Sequence, residues 1–320
     1  MSDQRIDTII VSYRSAEYLP DCLQHLYDGK GKGRLGVTIQ NNSPEENLHP
    51  LVQRFPEIHI IDNQENIGFS KAVNRSIKNS NAKYIMILNP DAYIQPGFFD
   101  DVLTFMEQNS DVGIVGPRIL NPDRTIQGSA RHFPTISTAF FGRNTILTRL
   151  FPNNPISSKT IVNINNCNGE WREVDWVSGA CMIIRRKAIE KVGLLDEGFF
   201  TYWEDADICR RMWRENLKVV YYPHSSVIHQ VGGSSSKAIM YSTYAFHRSA
   251  FRLFKKHIAS DHPWIYPFAL VCLSFRCVLV MVFRLISRIF RLKKERYVGK
   301  KILKNDPHDS QPDQPSCSQK

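Results

Sequence analysis

The stretch FFTYWEDADICRRM, residues 199–212, places three carboxylates, Glu204, Asp205 and Asp207, at the doorway of a helix behind a run of aromatics. Acids in a first helical turn complement the helix dipole and cap free amides, and Asp207 is expected to cap. An adjacent pair such as Glu204–Asp205 can also serve acid–base chemistry, since a neighbouring carboxylate raises the pair's apparent pKa. A further acid, Asp91, lies in AKYIMILNPDAYI (82–94), where an apolar strand ends in Asn89-Pro90-Asp91. A hard divalent cation that also holds a diphosphate needs such an oxygen ligand and little more. A plain Asn-Pro-Asp turn is the alternative.

Positioning such groups requires a frame. IDTIIVSY (6–13) is a nearly unbroken apolar run, suited to a central strand buried on both faces. SAEYLPDCLQHLY reads as an amphipathic helix with Leu19, Leu23 and Leu26 on one side. VTIQNNS (37–43) and IHIIDNQ (58–64) are strands running into turns. GFSKAVNRSIKNS (68–80) is a helix with Ala72, Val73 and Ile77 inward. FFDDVLTFMEQN forms the next helix and VGIVGPRI another strand. This alternation predicts an open, doubly wound, mostly parallel α/β sheet flanked by helices. Ligands in such sheets collect at the carboxyl ends of the strands, where NNS, DNQEN and NPD lie. GKGKGRLG (29–36) fails the phosphate-loop pattern GxxxxGK[ST] and precedes a strand, so it reads as a flexible turn.

Charge is distributed unevenly over the 320 residues. The chain carries +10 overall, yet residues 248–304 hold 14 Lys and Arg against two acids, a net of +12 that leaves −2 for the rest. A nucleic-acid binder carries its basic residues on the folded domain, so a membrane surface is the expected partner and nucleic acid is not. The seven cysteines are scattered without CxxC spacing and read as thiols of a reducing compartment. MSDQRIDTIIVSYRS has charges where a signal peptide needs an apolar stretch, so a cytoplasmic location is expected.

The ordered set VSYRSAEYLPDCL, NNS, NIGFSKAVNRSI, YIMILNPDAYI, DWVSGACMIIRR, GLLDEGFFTYWEDADICRRM and HQVGG resembles the family 2 glycosyltransferases of the GT-A fold. More narrowly, it resembles the bacterial rhamnosyltransferase-like branch that builds polysaccharides, O-antigen and lipopolysaccharide among them, on polyprenyl-diphosphate carriers. The resemblance covers residues 6–256. It implies a nucleotide-sugar donor and a divalent cation, Mg2+ or Mn2+. By the same resemblance, Ser12 and Tyr13 lie beside the nucleotide base, and Asn41 and Ser43 form a nucleotide-contacting turn. Gln40 departs from the family there, which usually has Asp. Asn66, Gly68 and Phe69 match the turn near the nucleotide-sugar. Asp91 matches the metal-binding carboxylate of the DxD motif, with Asn89 in place of the first Asp, and His229 matches the histidine that completes the metal shell. Asp205 is implied as the base that deprotonates the acceptor hydroxyl, with Glu204 orienting it or touching the sugar. Tyr202, Trp203, Trp176 and Gly179 are implied at the acceptor. The run Gly232-Gly233-Ser234-Ser235-Ser236 is either a flap over the diphosphate or a linker.

WIYPFALVCLSFRCVLVMVFRLISRIFRLKK (264–294) is apolar enough to span a bilayer, which takes roughly 20 residues. Arg276, Arg284, Arg288 and Arg291 project within about 120° of helical arc, a stripe that favours a helix lying in the interface with arginines toward anionic headgroups. The expected organisation is thus a catalytic domain over 1–256, a basic amphipathic membrane-associated segment over 257–304, and a disordered polar tail over 305–320. The expected function is inverting, metal-dependent transfer of a sugar, rhamnose from dTDP-rhamnose being favoured, to a lipid-linked saccharide at the cytoplasmic face of the inner membrane. Another donor such as UDP-galactose or UDP-N-acetylglucosamine, a sugar nucleotidyltransferase, and an inactive membrane-bound scaffold are the alternatives.

Overall fold

The computed structural model describes residues 5–29, 34–135, 169–230, 239–259 and 263–304, with side chains placed as far as residue 287. The chain forms two compact units, Met1–Leu273 and Ser274–Lys320.

The first unit is built on a nine-stranded sheet in the order β3-β2-β1-β4-β10-β6-β11-β5, with β8 beside β11. Its strands are β1 (Arg5–Ser12), β2 (Arg34–Asn41), β3 (Ile58–Asp62), β4 (Tyr84–Leu88), β5 (Ala92–Ile94), β6 (Val112–Leu120), β8 (Arg172–Glu173), β10 (Cys181–Arg185) and β11 (Lys218–His229). β7 (Ala130–Arg131) and β9 (Trp176–Val177) form a small separate ribbon. β1, β2, β3 and β4 run parallel, as do β6 and β11, while β10 is antiparallel to both β4 and β6. This one reversed central strand has a functional consequence. Its amino end lies at the rim where the parallel strands have their carboxyl ends, so the residues just before Cys181 join Asn89 and Asp91 there.

The central strands are apolar because both faces are covered. All five residues of β4 are buried, and Ile6, Ile9 and Ile10 of β1 are almost fully enclosed. One face packs on α1 (Leu19–Asp28) and α4 (Phe98–Gln108); Leu19, Leu23 and Leu26 are buried there as their spacing predicts. The other face packs on α3 (Phe69–Lys78), α5 (Arg186–Val192) and α6 (Glu204–Arg214), with Ala72, Val73 and Ile77 inward. A short α2 (Pro50–Arg54) links β2 to β3. The apolar run 82–94 is two strands: Asn89-Pro90-Asp91 turns the chain, and β5 leaves to pair antiparallel with β11.

Helix α7 (Ile239–His257) and a 3-10 turn (Pro263–Ile265) precede α8 (Tyr266–Lys304). Pro263–Ser287 is 25 residues long and apolar enough to cross a membrane. Phe268, Val271, Phe275 and Val278 on it are all exposed. The side chains of Arg288 and Arg291, the proposed 232–236 flap, residues 30–33 of the GKGKGRLG turn and the 305–320 tail lie outside the described residues.

Candidate active site

Asp91 follows β4 and His229 ends β11; strand pairing places His229 opposite Ala92. The His229 Nε2 lies 3.3 Å from Asp91 Oδ1, and the two side chains are only 12% and 6% exposed. Asn89 Nδ2 donates toward the same ring nitrogen at 3.2 Å. Gln127 Oε1 lies 2.9 Å from His229 Nδ1 and is itself steadied by Asn121, which accepts from Gln127 Nε2 at 3.0 Å. With the Nδ1 proton given to Gln127, Nε2 turns a lone pair toward the Asp91 carboxylate. Nε2, which Asn89 also approaches, and Asp91 Oδ1 thus present two acceptor atoms side by side. The pair therefore fits a hard divalent cation whose histidine ligand has its tautomer fixed from behind. Among the described residues no group of three His, Cys, Asp or Glu surrounds this point. The protein would thus supply two ligands, and substrate oxygens and water the others.

Asp205 stands in the first turn of α6. Its Oδ2 accepts the Gly179 backbone N–H at 3.0 Å and its Oδ1 accepts the Ala206 N–H at 2.8 Å. Burial raises its pKa, opposed by these two hydrogen bonds and by the charge of Arg131. Glu204 is more deeply enclosed, at 7% exposure, and its Oε2 is buried without a hydrogen-bond partner. Burial, and then the Asp205 charge, push Glu204 well above the usual carboxylate range. The two acids are therefore held in an environment that favours proton uptake, a common property of groups that move protons.

The link between the two centres is short. Ala180 accepts the Asn89 backbone N–H at 2.9 Å, and its neighbour Gly179 holds Asp205. From the metal-side turn to the acidic helix there are thus two hydrogen bonds and one peptide unit. Asp91, His229 and Asp205, far apart in sequence, gather at one rim of the sheet.

Tyr202 and Trp203, just before Glu204, both adopt positive φ, 67° and 72°, a conformation that costs non-glycine residues and clusters at functional loops. Packing holds them. Trp203 lies 5.8 Å from Trp176 and 5.2 Å from Phe246 of α7, and Tyr202 lies 5.9 Å from Phe246, centroid to centroid. Trp176 is buried and donates its indole N–H to the His132 carbonyl at 3.1 Å, so its place is in the floor beneath Trp203. Gly179 packs against the Asp205 side chain.

On the other flank, the β1 and β2 ends carry Ser12, Tyr13, Asn41 and Ser43. Ser12, Asn41 and Ser43 are buried and engaged internally: Ser12 with Ser15, Asn41 with Asp62 and Glu46, and Ser43 with the Arg14 backbone. Tyr13 is half-buried under the Arg14 guanidinium. Gln40 is fully buried; its amide donates to Ser76 at 2.8 Å and accepts from Asn63 at 3.0 Å. It continues through Asn63 to Asn42, and from Asn42 to Asn66. Asn66 accepts the Gly68 N–H at 3.0 Å and so shapes the turn whose next residue, Phe69, donates to the Phe200 carbonyl at 2.6 Å. The turn beside β3 is therefore fastened directly to the loop leading into Asp205.

Asp207 is not a cap. The N-cap residue of α6, Trp203, makes no side-chain cap hydrogen bond; Asp207 is fully buried and pairs with Arg211, Lys256 and His257 at 2.7–2.9 Å. Burial alone would raise its pKa, but the hydrogen bond from His257 and the charges of Arg211 and Lys256 outweigh it and hold the carboxyl below its ordinary value. The Lys256 and His257 contacts fasten the acidic helix to α7. Gln127 and Arg131 are site residues with no motif to reveal them; they sit in the chain after β6, and only the folded sheet brings them to the rim.

The glycosyl transferase family 2 model matches residues 7–193. An N-acetylglucosaminyl-diphospho-decaprenol L-rhamnosyltransferase of Mycobacterium tuberculosis is 27% identical over 257 residues, 77% of this chain and 82% of that protein. Rhamnosyltransferase WbbL of Escherichia coli is 23% identical, over 79% of this chain and 94% of its own length. Among solved structures, GalNAc-T7 with UDP, GalNAc and Mn2+ superposes with a TM-score of 0.56 at 13% identity, covering 78% of this chain and 47% of that one. The structural likeness supports a GT-A-type fold, and with the family match over more than half its length the chain is a glycosyltransferase that belongs to glycosyl transferase family 2.

Proposed function

We propose that the protein transfers a sugar, with inversion and with the help of a divalent cation, from a nucleotide-sugar to a lipid-linked saccharide, and that the donor is dTDP-rhamnose. The observation that carries this reading is Asp205: a carboxylate of raised pKa, aimed by Gly179 and Ala206, one peptide unit and two hydrogen bonds from the Asp91–His229 turn. Each Asp205 oxygen accepts one backbone N–H and keeps a further lone pair for the acceptor hydroxyl. As that hydroxyl oxygen bonds to the anomeric carbon, its proton passes to Asp205 and the bond to the diphosphate breaks, the electron pair leaving with the nucleoside diphosphate. Burial keeps Asp205 basic, and the Asp205 charge in turn helps to hold the neighbouring Glu204 in its proton-bearing form. Asp91 and His229 would hold a magnesium or manganese ion, which supplies charge neutralisation to the departing diphosphate. A single base acting in one displacement implies inversion, and a product with the donor's own anomeric configuration would overturn it.

Two relatives named for rhamnosyl transfer, one of them to a diphospho-decaprenol-linked sugar, support the choice of donor and acceptor. The exposed apolar helix over 263–287 supports attachment to a membrane. We place the catalytic domain, 1–256, at its cytoplasmic face, with the basic segment 257–304 toward anionic lipid. The deciding experiment incubates the protein and a membrane fraction with labelled dTDP-rhamnose, UDP-galactose and UDP-N-acetylglucosamine. Label from dTDP-rhamnose should enter the lipid phase and depend on Mg2+ or Mn2+. Transfer from a UDP-sugar instead would replace the donor, and no transfer from any would end the reading.

A further inference from the structure

Helix α7 carries a row of cations at four-residue spacing, Arg248, Arg252 and Lys256. Two of them are already matched: Arg252 and Lys256 reach Asp196 at 2.7 and 2.8 Å. Arg248 has no carboxylate partner among the described residues. It lines a cavity of about 40 Å³ together with Phe200, Tyr241, Tyr244 and Ser249. That is space for roughly three water molecules, comparable to one phosphoryl group. Tyr241 and Tyr244 are half exposed, at 50% and 51%. Burial raises the Tyr241 phenol above its ordinary value, and Arg248, Tyr13 and Tyr244 each act on it, so these side chains share one neighbourhood.

The opposite wall is the loop that leads into the catalytic helix. Phe200 meets Tyr241 edge to face at 6.2 Å, and Ser249 Oγ donates to the Thr201 carbonyl at 2.8 Å. Arg248 is itself exposed, and what sets it apart from other surface arginines is the recess that it lines. Here an unmatched guanidinium and two phenols converge on a recess within five residues of Asp205. Guanidinium forks and phenolic hydroxyls are the donors that phosphate oxygens select.

We propose that Arg248, with Tyr241 and Tyr244, binds one phosphoryl group of a diphosphate beside the catalytic loop, the carrier diphosphate of the lipid-linked acceptor being the expected source. The inference rests on the transferase reading for its substrate and on the cavity for its location. The nucleotide-sugar is the other source of the same chemistry.

The test uses full-length protein in detergent. Binding of inorganic pyrophosphate is measured in EDTA, which removes any cation bridging at Asp91 and His229. Arg248→Ala should weaken it about tenfold, Tyr244→Phe about threefold, and Lys78→Ala, at the end of α3 away from Phe200, not at all. Arg248→Lys keeps the charge without the fork and should retain part of the affinity, which separates lost binding from lost folding. In transfer assays, an alkyl-diphosphate-linked sugar acceptor is compared with the same alkyl sugar lacking the diphosphate. A rise in KM for the first alone assigns the site to the carrier; a rise in donor KM assigns it to the nucleotide-sugar. If transfer proceeds and neither pyrophosphate binding nor either KM responds to Arg248→Ala, the subsite is overturned while the transferase reading stands. If no donor is transferred yet pyrophosphate binding still depends on Arg248, the reverse holds.

Discussion

Gly179 donates its backbone N–H to Oδ2 of Asp205 at 3.0 Å, across 26 positions of chain. Because Gly179 stands at the amino end of the one reversed central strand, this contact ties the acidic helix to the rim that holds Asp91. It also fixes which way the carboxylate faces, and it is a backbone bond that no side-chain substitution at 179 other than proline removes.

Glu204 is buried with one oxygen unpartnered, so its ionised form costs the fold stability. Its folded pKa lies above the unfolded value. The penalty is therefore absent below the unfolded carboxylate pKa, near 4.3, and grows as pH rises from there toward the folded value. Glu204→Gln should raise the melting temperature at pH 7–8, by an amount equivalent to about 1–3 kcal/mol, with the gain disappearing at acid pH. Melting curves across pH check this; a gain that is independent of pH would contradict it.

Gln127 holds the far side of the His229 ring and should tune the cation site without touching substrate. Gln127→Ala should raise the metal concentration for half-maximal activity about tenfold, with activity at saturating metal nearly unchanged. His229→Ala should shift the titration further. An unchanged metal titration in His229→Ala would remove it as a ligand.

Gly68 has φ of +86°, and a Cβ there would lie 2.8 Å from the Phe200 ring. Gly68→Ala meets both a disfavoured backbone conformation and a collision with the catalytic loop. We expect donor KM to rise at least several-fold and stability to fall by about 1–3 kcal/mol, read by donor titration and denaturant melts.

Asp207 is a buried ion-pair centre, so Asp207→Asn should cost about 3–5 kcal/mol. Its folded pKa is lowered; the stability it gives is present above the unfolded pKa and is lost as pH falls through the folded one. Wild type should lose stability on acidification over that window, and the variant should lose less.

Much of this architecture was legible in the sequence because its causes are local. The apolar runs of β1 and β4 and the leucine spacing of α1 need only burial and periodicity, and Asn89-Pro90-Asp91 announces a turn by residue type. The Asp91–His229 meeting was reachable only through the family resemblance, since 138 positions separate them in the chain. Gln127, Arg131 and the Ala180–Asn89 bond were not legible at all: Gln127 reaches His229 because the chain folds back along β6, Arg131 is placed by its pairing with Trp176 in the β7–β9 ribbon, and the Ala180–Asn89 bond needs β10 inserted in reverse beside β4. Asp207 was misread as a cap because a first-turn acid looks the same in sequence whether its partner is a free amide or Lys256 and His257 on a helix some 50 positions later.

The role of Asp205 is tested most directly by comparing Asp205→Asn with wild type for both sugar transfer and equilibrium affinity for the nucleotide-sugar. The substitution keeps the shape and can still accept from Gly179, but it cannot take the acceptor's proton. Transfer should fall by about 10²–10⁴ or more, with donor affinity within about twofold of wild type. Parallel loss of transfer and donor affinity, or transfer that survives, would remove Asp205 as the base.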